Sequence, residues 1–214
     1  MIKINFIGPK NSAKSLSCFL VAKHLSKQKK VIILNFDYFS KYKDIDNKFV
    51  DKNKVIKIDN NFELFNVKLN SKSDEDVLNE VNNIFKKFKN YEIVLIDHPI
   101  SFSKLNKQLI NNSSLIICNY KIQNDVLDYF KKLTSFLNDS NLTFKKMKIL
   151  MTLSNNQEIN LTKMLDYRKL FPGMMFDKPI TYYEFNKYKE LVDNQKLNKE
   201  YKQISENILE NILL

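Results

Sequence analysis

Glycine is scarce in this chain: 214 residues contain two, Gly8 and Gly173. That excludes a glycine-rich linker, and it makes a retained glycine a pointer to a backbone constraint. Cysteine is as rare. Cys18 and Cys118 form no Cys-x-x-Cys pair and no His/Cys cluster, which argues against a disulfide framework or a thiolate metal site. They read as two buried thiols in a reducing cytoplasm. No apolar run approaches the length of a membrane span, and Met1-Ile2-Lys3-Ile4-Asn5 does not read as a signal peptide. The expectation is therefore a cytoplasmic protein. Without an internal repeat or a Pro/Gly/Ser linker, residues 1–214 are expected to form one domain. A chain of this length buries roughly 70% of the surface its unfolded form exposes, so it needs no metal or disulfide staple.

Acidic residues are the minority charge. There are 24 against 35 basic ones, a formal net charge of +11, and Arg168 is the single arginine. A basic surface attracts polyanions such as nucleic acid or an anionic membrane. The wealth of Lys, Asn and Ile is also what A/T-rich codons would give, and the basic side chains are scattered rather than blocked.

What the chain does hold is an alternation of apolar runs and helical patterns. Ile2–Ile7, Val31–Phe36, residues 92–97 (EIVLID), 114–118 (SLIIC) and 147–153 (MKILMTL) read as strands buried on both faces. Helices are expected over Lys14–Lys27, from Ser73 as N-cap to about Lys89, over Asp125–Leu137 and over 159–171, with two more near the end. Val55–Ile58 and 174–176 are candidate short strands. The pattern implies an α/β fold, a mostly parallel central sheet with helices on both faces. Ligands of such sheets sit at the carboxyl ends of the strands.

The first of those ends carries a motif. Gly8, Pro9, Lys10, Asn11, Ser12, Ala13, Lys14 and Ser15 match the phosphate-loop pattern G-x-x-x-x-G-K-[ST] except at Ala13. Loop and helix-start amides would face the phosphates, through to Leu16. Lys14 would neutralise the β- and γ-phosphates, and the Ser15 hydroxyl would ligate Mg²⁺. The alternative is a plain strand-to-helix turn with a solvated Lys14. Asp37 and Asp97 each follow a buried strand in the order a nucleotide site needs, with Asp97 placed to hold Mg²⁺ through water. Each could equally cap a turn.

With these motifs the chain resembles the ParA/MinD family of deviant phosphate-loop ATPases over most of its length. Residues 29–39 (KKVIILNFDYF) resemble the family's Asp-x-Asp stretch, with Asn35 for the first acid and Asp37 for the second. Residues 91–100 (YEIVLIDHPI) resemble its Asp-x-Pro-Pro segment, with Asp97 and Pro99 kept and Ile100 for the last proline. Residues 113–126 and 176–185 resemble its later strand and loop segments. The resemblance implies a P-loop NTPase fold, ATP and Mg²⁺ as cofactors, and ATP-driven homodimerisation. Asp37 would position or activate the attacking water, and Asp97 would hold the Mg²⁺ shell and sense the γ-phosphate. The family's signature lysine falls at Pro9, and Lys10 beside it could reach a partner's nucleotide instead. The implied catalytic set is Lys14, Asp37 and Lys10. His98 and His24 read as structural.

The resemblance further implies non-specific DNA binding by the dimer and stimulation by a ParB-like centromere-binding partner, with nucleoid association. Lys163, Lys169, Lys187, Lys189, Lys196, Lys199 and Lys202 are candidate contacts. The tail places Ile204, Ile208, Leu209, Ile212 and Leu213 on one face, as a MinD-like membrane helix would. Glu206 and Glu210 on its polar side favour docking on the sheet instead. Other readings are a non-hydrolysing module with a decayed loop, and a small ATP-dependent metabolic enzyme, for which no substrate motif is visible.

Overall fold

The structure, a computed structural model, describes residues 1–37, 42–46, 49, 53–70, 73–98, 103–122, 126–138, 146–183 and 188–213, without the side chains at 126, 127, 157 and 211–213. Pro99, Ile100, Asp125, Lys187 and the side chains of Ile212 and Leu213 lie outside the described set.

Seven strands form one sheet: β1 (Ile2–Ile7), β2 (Val31–Asn35), β3 (Val55–Asp59), β4 (Phe62–Asn66), β5 (Ile93–Asp97), β6 (Leu115–Lys121) and β7 (Met147–Thr152). Their order is β3-β4-β2-β5-β1-β6-β7. All pairings are parallel except β3 with β4, a hairpin at the sheet edge. β2 and β5 are fully buried because helices cover both faces, which explains their unbroken apolar runs. The expected strand over 174–176 is reduced to single bridges at Met175 and Ile180 beside β7.

Alternation along each strand sorts the side chains. Ile4, Phe6, Ile33, Leu95 and Ile117 point to a core shared with α1 (Lys14–Leu25) and α8 (Gln195–Leu213). On the opposite face, Ile32, Leu34, Val94 and Ile96 pack with α3 (Asp74–Lys87) and α4 (Lys104–Asn111). Ile116, Cys118 and Tyr120 pack with α5 (Val126–Asn138). The remaining helices are α2 (Tyr42–Ile45), α6 (Gln157–Leu170) and α7 (Tyr188–Asp193). The helix start expected at Ser73 is there, the side chain accepting the Asp76 N–H at 3.2 Å. The first helix ends at Leu25, two residues before the expected Lys27.

Ile204 and Ile208 of α8 are buried against the α1 side of the sheet, with Leu209 packed beside them. The described part of the tail's apolar face therefore docks on the protein. Among the described residues no helix is long and apolar enough to cross a membrane.

His24, on α1, is buried. Burial, with Lys27 and Lys23 nearby, lowers its pKa to about 4 from an ordinary 6.5. The unfolded chain takes up a proton near pH 6.5 that the folded chain resists to about pH 4. Stability should therefore fall on acidification through that window. Denaturant midpoints measured against pH should show a shallower fall in a His24→Gln variant than in the wild type.

Candidate functional site

Gly8 ends β1 and begins the loop. A Cβ built on it would lie 2.5 Å from the backbone oxygen of Asn119 in β6 and 2.6 Å from Ser12 Oγ. Only glycine fits at that approach, and this is why the chain keeps one there. Farther along the loop two residues other than glycine take positive φ. Asn11 (φ 63°) and Ala13 (φ 60°) both adopt the left-handed conformation. Asparagine tolerates it, whereas alanine is strained there by about 1 kcal/mol. Ala13→Gly should raise stability by about that amount, read as a higher denaturant midpoint with unchanged slope. A lower midpoint would contradict the left-handed loop.

Ala13 is also the N-cap of α1 and offers no side chain to its first amides. By contrast α3, α4 and α6 are capped by Ser73, Ser103 and Asn156. The orphan donors at the head of α1 thus face the loop, where an anion is favoured by the helix dipole. Ser12 adds a buried hydroxyl without a hydrogen-bond partner. Pro9, Lys10, Asn11, Ser12, Ala13, Lys14, Ser15, Leu16, Asp37 and Tyr188 line one recess of about 220 Å³. Lys10 is exposed at its rim, and Ser15 is half-buried.

Lys14 does not extend into solvent. Its ammonium is ion-paired with Asp37 Oδ2 at 2.8 Å and with Asp97 Oδ1, and the three side chains are 5%, 5% and 0% exposed. Burial alone would lower the pKa of Lys14, but Asp97 and Asp37 outweigh it and hold the ammonium above its ordinary value. The two carboxylates arrive from parallel strand ends, because Asn35 of β2 pairs in register with Asp97 of β5. The sequence-identified Lys14, Asp37 and Asp97 are therefore brought together, with one ammonium between two acids. Asp97 Oδ2 has no hydrogen-bond partner. Burial and Asp97 together push the Cys18 thiol and the Tyr42 hydroxyl well above their usual range, so both stay neutral.

Sequence reasoning named Asn35 only as the replacement for a family acid and passed over the partners that set this geometry. Asn35 Oδ1 accepts the Asp37 N–H at 3.0 Å, and its amide donates to Asn66 Oδ1 at 2.7 Å. Asn66 in turn donates to the Phe49 carbonyl at 2.8 Å. On the other side, Asn119 Nδ2 donates to Ser17 Oγ at 2.6 Å, and Ser17 meets the Tyr201 hydroxyl of α8 at 2.6 Å. The signal was present as asparagines inside apolar strands, where a polar side chain must find a partner. His98 is structural as expected, its Nε2 lying 3.4 Å from the Asn106 carbonyl.

Three solved structures align with nearly the whole chain. A plasmid partition protein of Borrelia burgdorferi B31, bound to AMPPNP, is 19% identical over 99% of this chain and 100% of its own, with a TM-score of 0.69. A ParA family ATPase of Chlorobium tepidum TLS is 14% identical over 95% and 98%, TM-score 0.68. The MinD cell division protein of Aquifex aeolicus is 12% identical over 97% and 96%, TM-score 0.71. The chain has the ParA/MinD ATPase fold. No family model matches the sequence, and no curated protein does. The ParA/MinD fold also serves a cobyrinic acid a,c-diamide synthase of Mycobacterium smegmatis, crystallised with ADP and magnesium, so the fold alone does not choose among functions.

The residues present suit Mg-ATP. The uncapped amides of α1, the Ser12 hydroxyl and the Gly8 approach make a cradle for phosphate oxygens. Among the described residues no cluster of three or more His, Cys, Asp or Glu could hold a metal by itself. Ser15 and Asp97 would hold Mg²⁺ together with phosphate oxygens and water, the oxygen ligands that ion favours.

Proposed function

We propose that this chain is a ParA-like partition ATPase. The observation that carries the reading is the uncapped, left-handed loop around Lys14, aimed at two strand-end carboxylates. The support from likeness is a partition protein matched along its full length and bound to an ATP analogue. In the nucleotide-free state Lys14 neutralises Asp37 and Asp97. On binding, its ammonium exchanges those carboxylates for the β- and γ-phosphates. Gly8 to Leu16 would wrap the phosphates with backbone amides, and Ser15 and Asp97 would hold the Mg²⁺ that offsets the phosphate charge. Bound Mg-ATP supplies the phosphoanhydride that is cleaved. Asp37, freed from Lys14 and fixed by Asn35, orients the attacking water. The work asked of these residues is alignment and charge neutralisation.

Pro9 stands where a lysine reaching across a dimer would be, so Lys10 takes that part and basal hydrolysis is slow. The ATP-bound homodimer presents lysines of α6, α7 and α8 to DNA backbone. Retention on DNA then falls steeply with salt, and a ParB-like partner accelerates turnover.

The test combines three readings on the purified protein. Fluorescent ATP with Mg²⁺ should saturate at one site per chain. Sedimentation should show mass doubling with ATP. DNA retention at low salt should require ATP. Binding without mass doubling favours the second reading, a non-hydrolysing module. The observation behind that reading is the small recess, about 220 Å³, against the roughly 300–1,000 Å³ of ordinary ligand pockets. No saturable binding at all would overturn both.

A further inference from the structure

A larger cleft lies away from the loop, between α8 and the segment 176–183 that runs beside β7. Its volume is about 830 Å³, and it shares no lining residue with the recess around Lys14. The floor is apolar. Phe176 and Ile204 are 7% and 5% exposed, and Pro179 and Tyr183 form a wall.

The rim carries Asp177, Lys178, Lys196, Lys199 and Glu200. Glu200 is already engaged. Its Oε1 accepts from Thr181 Oγ1 at 2.5 Å and from the Tyr183 hydroxyl at 3.2 Å, and its Oε2 accepts the Thr181 N–H at 3.0 Å. Those three bonds hold the segment 176–183 against α8 and so keep the cleft open as a fixed shape. Among the described residues Lys178 reaches only the neutral Gln203 Oε1, at 3.5 Å. Among the described residues Lys196 and Lys199 have no ion pair.

Three ammonium groups against two carboxylates, Asp177 and a Glu200 held by hydroxyl and amide donors, leave the rim net positive over an apolar floor and favour one class of ligand. We propose that this cleft is a second binding site, for an amphiphilic anion: an apolar body, flat enough to lie on Phe176 and Ile204, bearing one carboxylate, sulfonate or phosphate group. The lysines act as point charges on its acidic group, and the floor takes its apolar part. No lining residue is common to this cleft and the nucleotide recess, although Lys196 and Lys199 are among the α8 lysines that the proposed function offers to DNA.

The probe is 8-anilinonaphthalene-1-sulfonate, titrated by fluorescence into the intact protein and located in a soaked crystal. One saturable molecule in the cleft is expected. Lys196→Gln/Lys199→Gln should weaken it about five-fold, two exposed charges contributing about half a kcal/mol each. Gln203→Glu, which brings a negative charge to the rim, should weaken it similarly. Both variants should keep the wild-type denaturant midpoint. Inorganic phosphate should compete poorly, because it lacks the apolar body. Mg-ATP should leave the probe in place. Displacement by Mg-ATP, density elsewhere, or equal binding by the variants would each overturn the proposal. None of those outcomes bears on binding at Lys14, which is measured separately.

Discussion

Lys14→Ala is expected to cost the nucleotide-free protein about 3–5 kcal/mol, the penalty for leaving a buried charge without its partner. Two carboxylates, 5% and 0% exposed, would face one another with no cation between them. Against a typical total of about 5–15 kcal/mol this is a large share. The measurement is a denaturant or thermal midpoint in the absence of nucleotide. Lys14→Met combined with Asp37→Asn and Asp97→Asn should recover much of the loss, since it removes both unpaired carboxylates along with the ammonium. A Lys14→Ala protein as stable as wild type would mean that the three groups are not clamped.

The clamp also sets an alkaline signature. The folded-state pKa of Lys14 is raised above 10.5, so its contribution is complete below that pH and is lost as pH climbs through the folded value. A Lys14→Ala variant lacks that component of alkaline loss. The practical consequence is that loss of ATP binding in this variant is interpretable only where circular dichroism shows it folded.

Gly8→Ala carries the second large effect. A Cβ 2.5 Å from the Asn119 carbonyl oxygen meets main chain in the middle of the sheet, which cannot swing away as a side chain would. The Ser12 hydroxyl, at 2.6 Å, can turn aside. We expect a stability loss of about 1–3 kcal/mol from the overpacking. The loop should also move off the head of α1, weakening Mg-ATP binding at least about ten-fold, or about 1.4 kcal/mol. Thermal melts and ATP titration read the two effects separately. Wild-type ATP affinity in Gly8→Ala would show that the approach of loop to β6 is not needed for the site.

The contrast between Gly8 and Ala13 shows what a motif comparison can and cannot read. Gly8 was legible as a constraint because glycine is so rare here. Ala13 looked like damage to the motif, yet the backbone keeps its left-handed turn and absorbs the strain. Strands β1, β2, β5, β6 and β7 were legible because burial leaves continuous apolar runs. β4 and α4 were not. β4 (FELFN) carries an acid within its run although it pairs in parallel with β2, and α4 (KLNKQLIN) is too polar and short to show a strong period. Strand order could not be read from the chain either. The meeting of Lys14 with Asp37 and Asp97, 23 and 83 residues away, follows from that order and from the parallel register of β2 and β5. Asn66 and Asn119 passed unremarked and Asn35 was read only against the family's acid, although burial forces each into a hydrogen bond that shapes the site.

The most direct measurement is a crystal structure grown with Mg-AMPPNP. Lys14 Nζ is expected to touch phosphate oxygens and to lie beyond about 4 Å, the limit of an ion pair, from both Asp37 and Asp97, with Ser15 beside the metal. A loop that stays closed on its own lysine, with Asp37 and Asp97 still holding it and the analogue absent despite excess, would contradict the exchange on which nucleotide binding here depends.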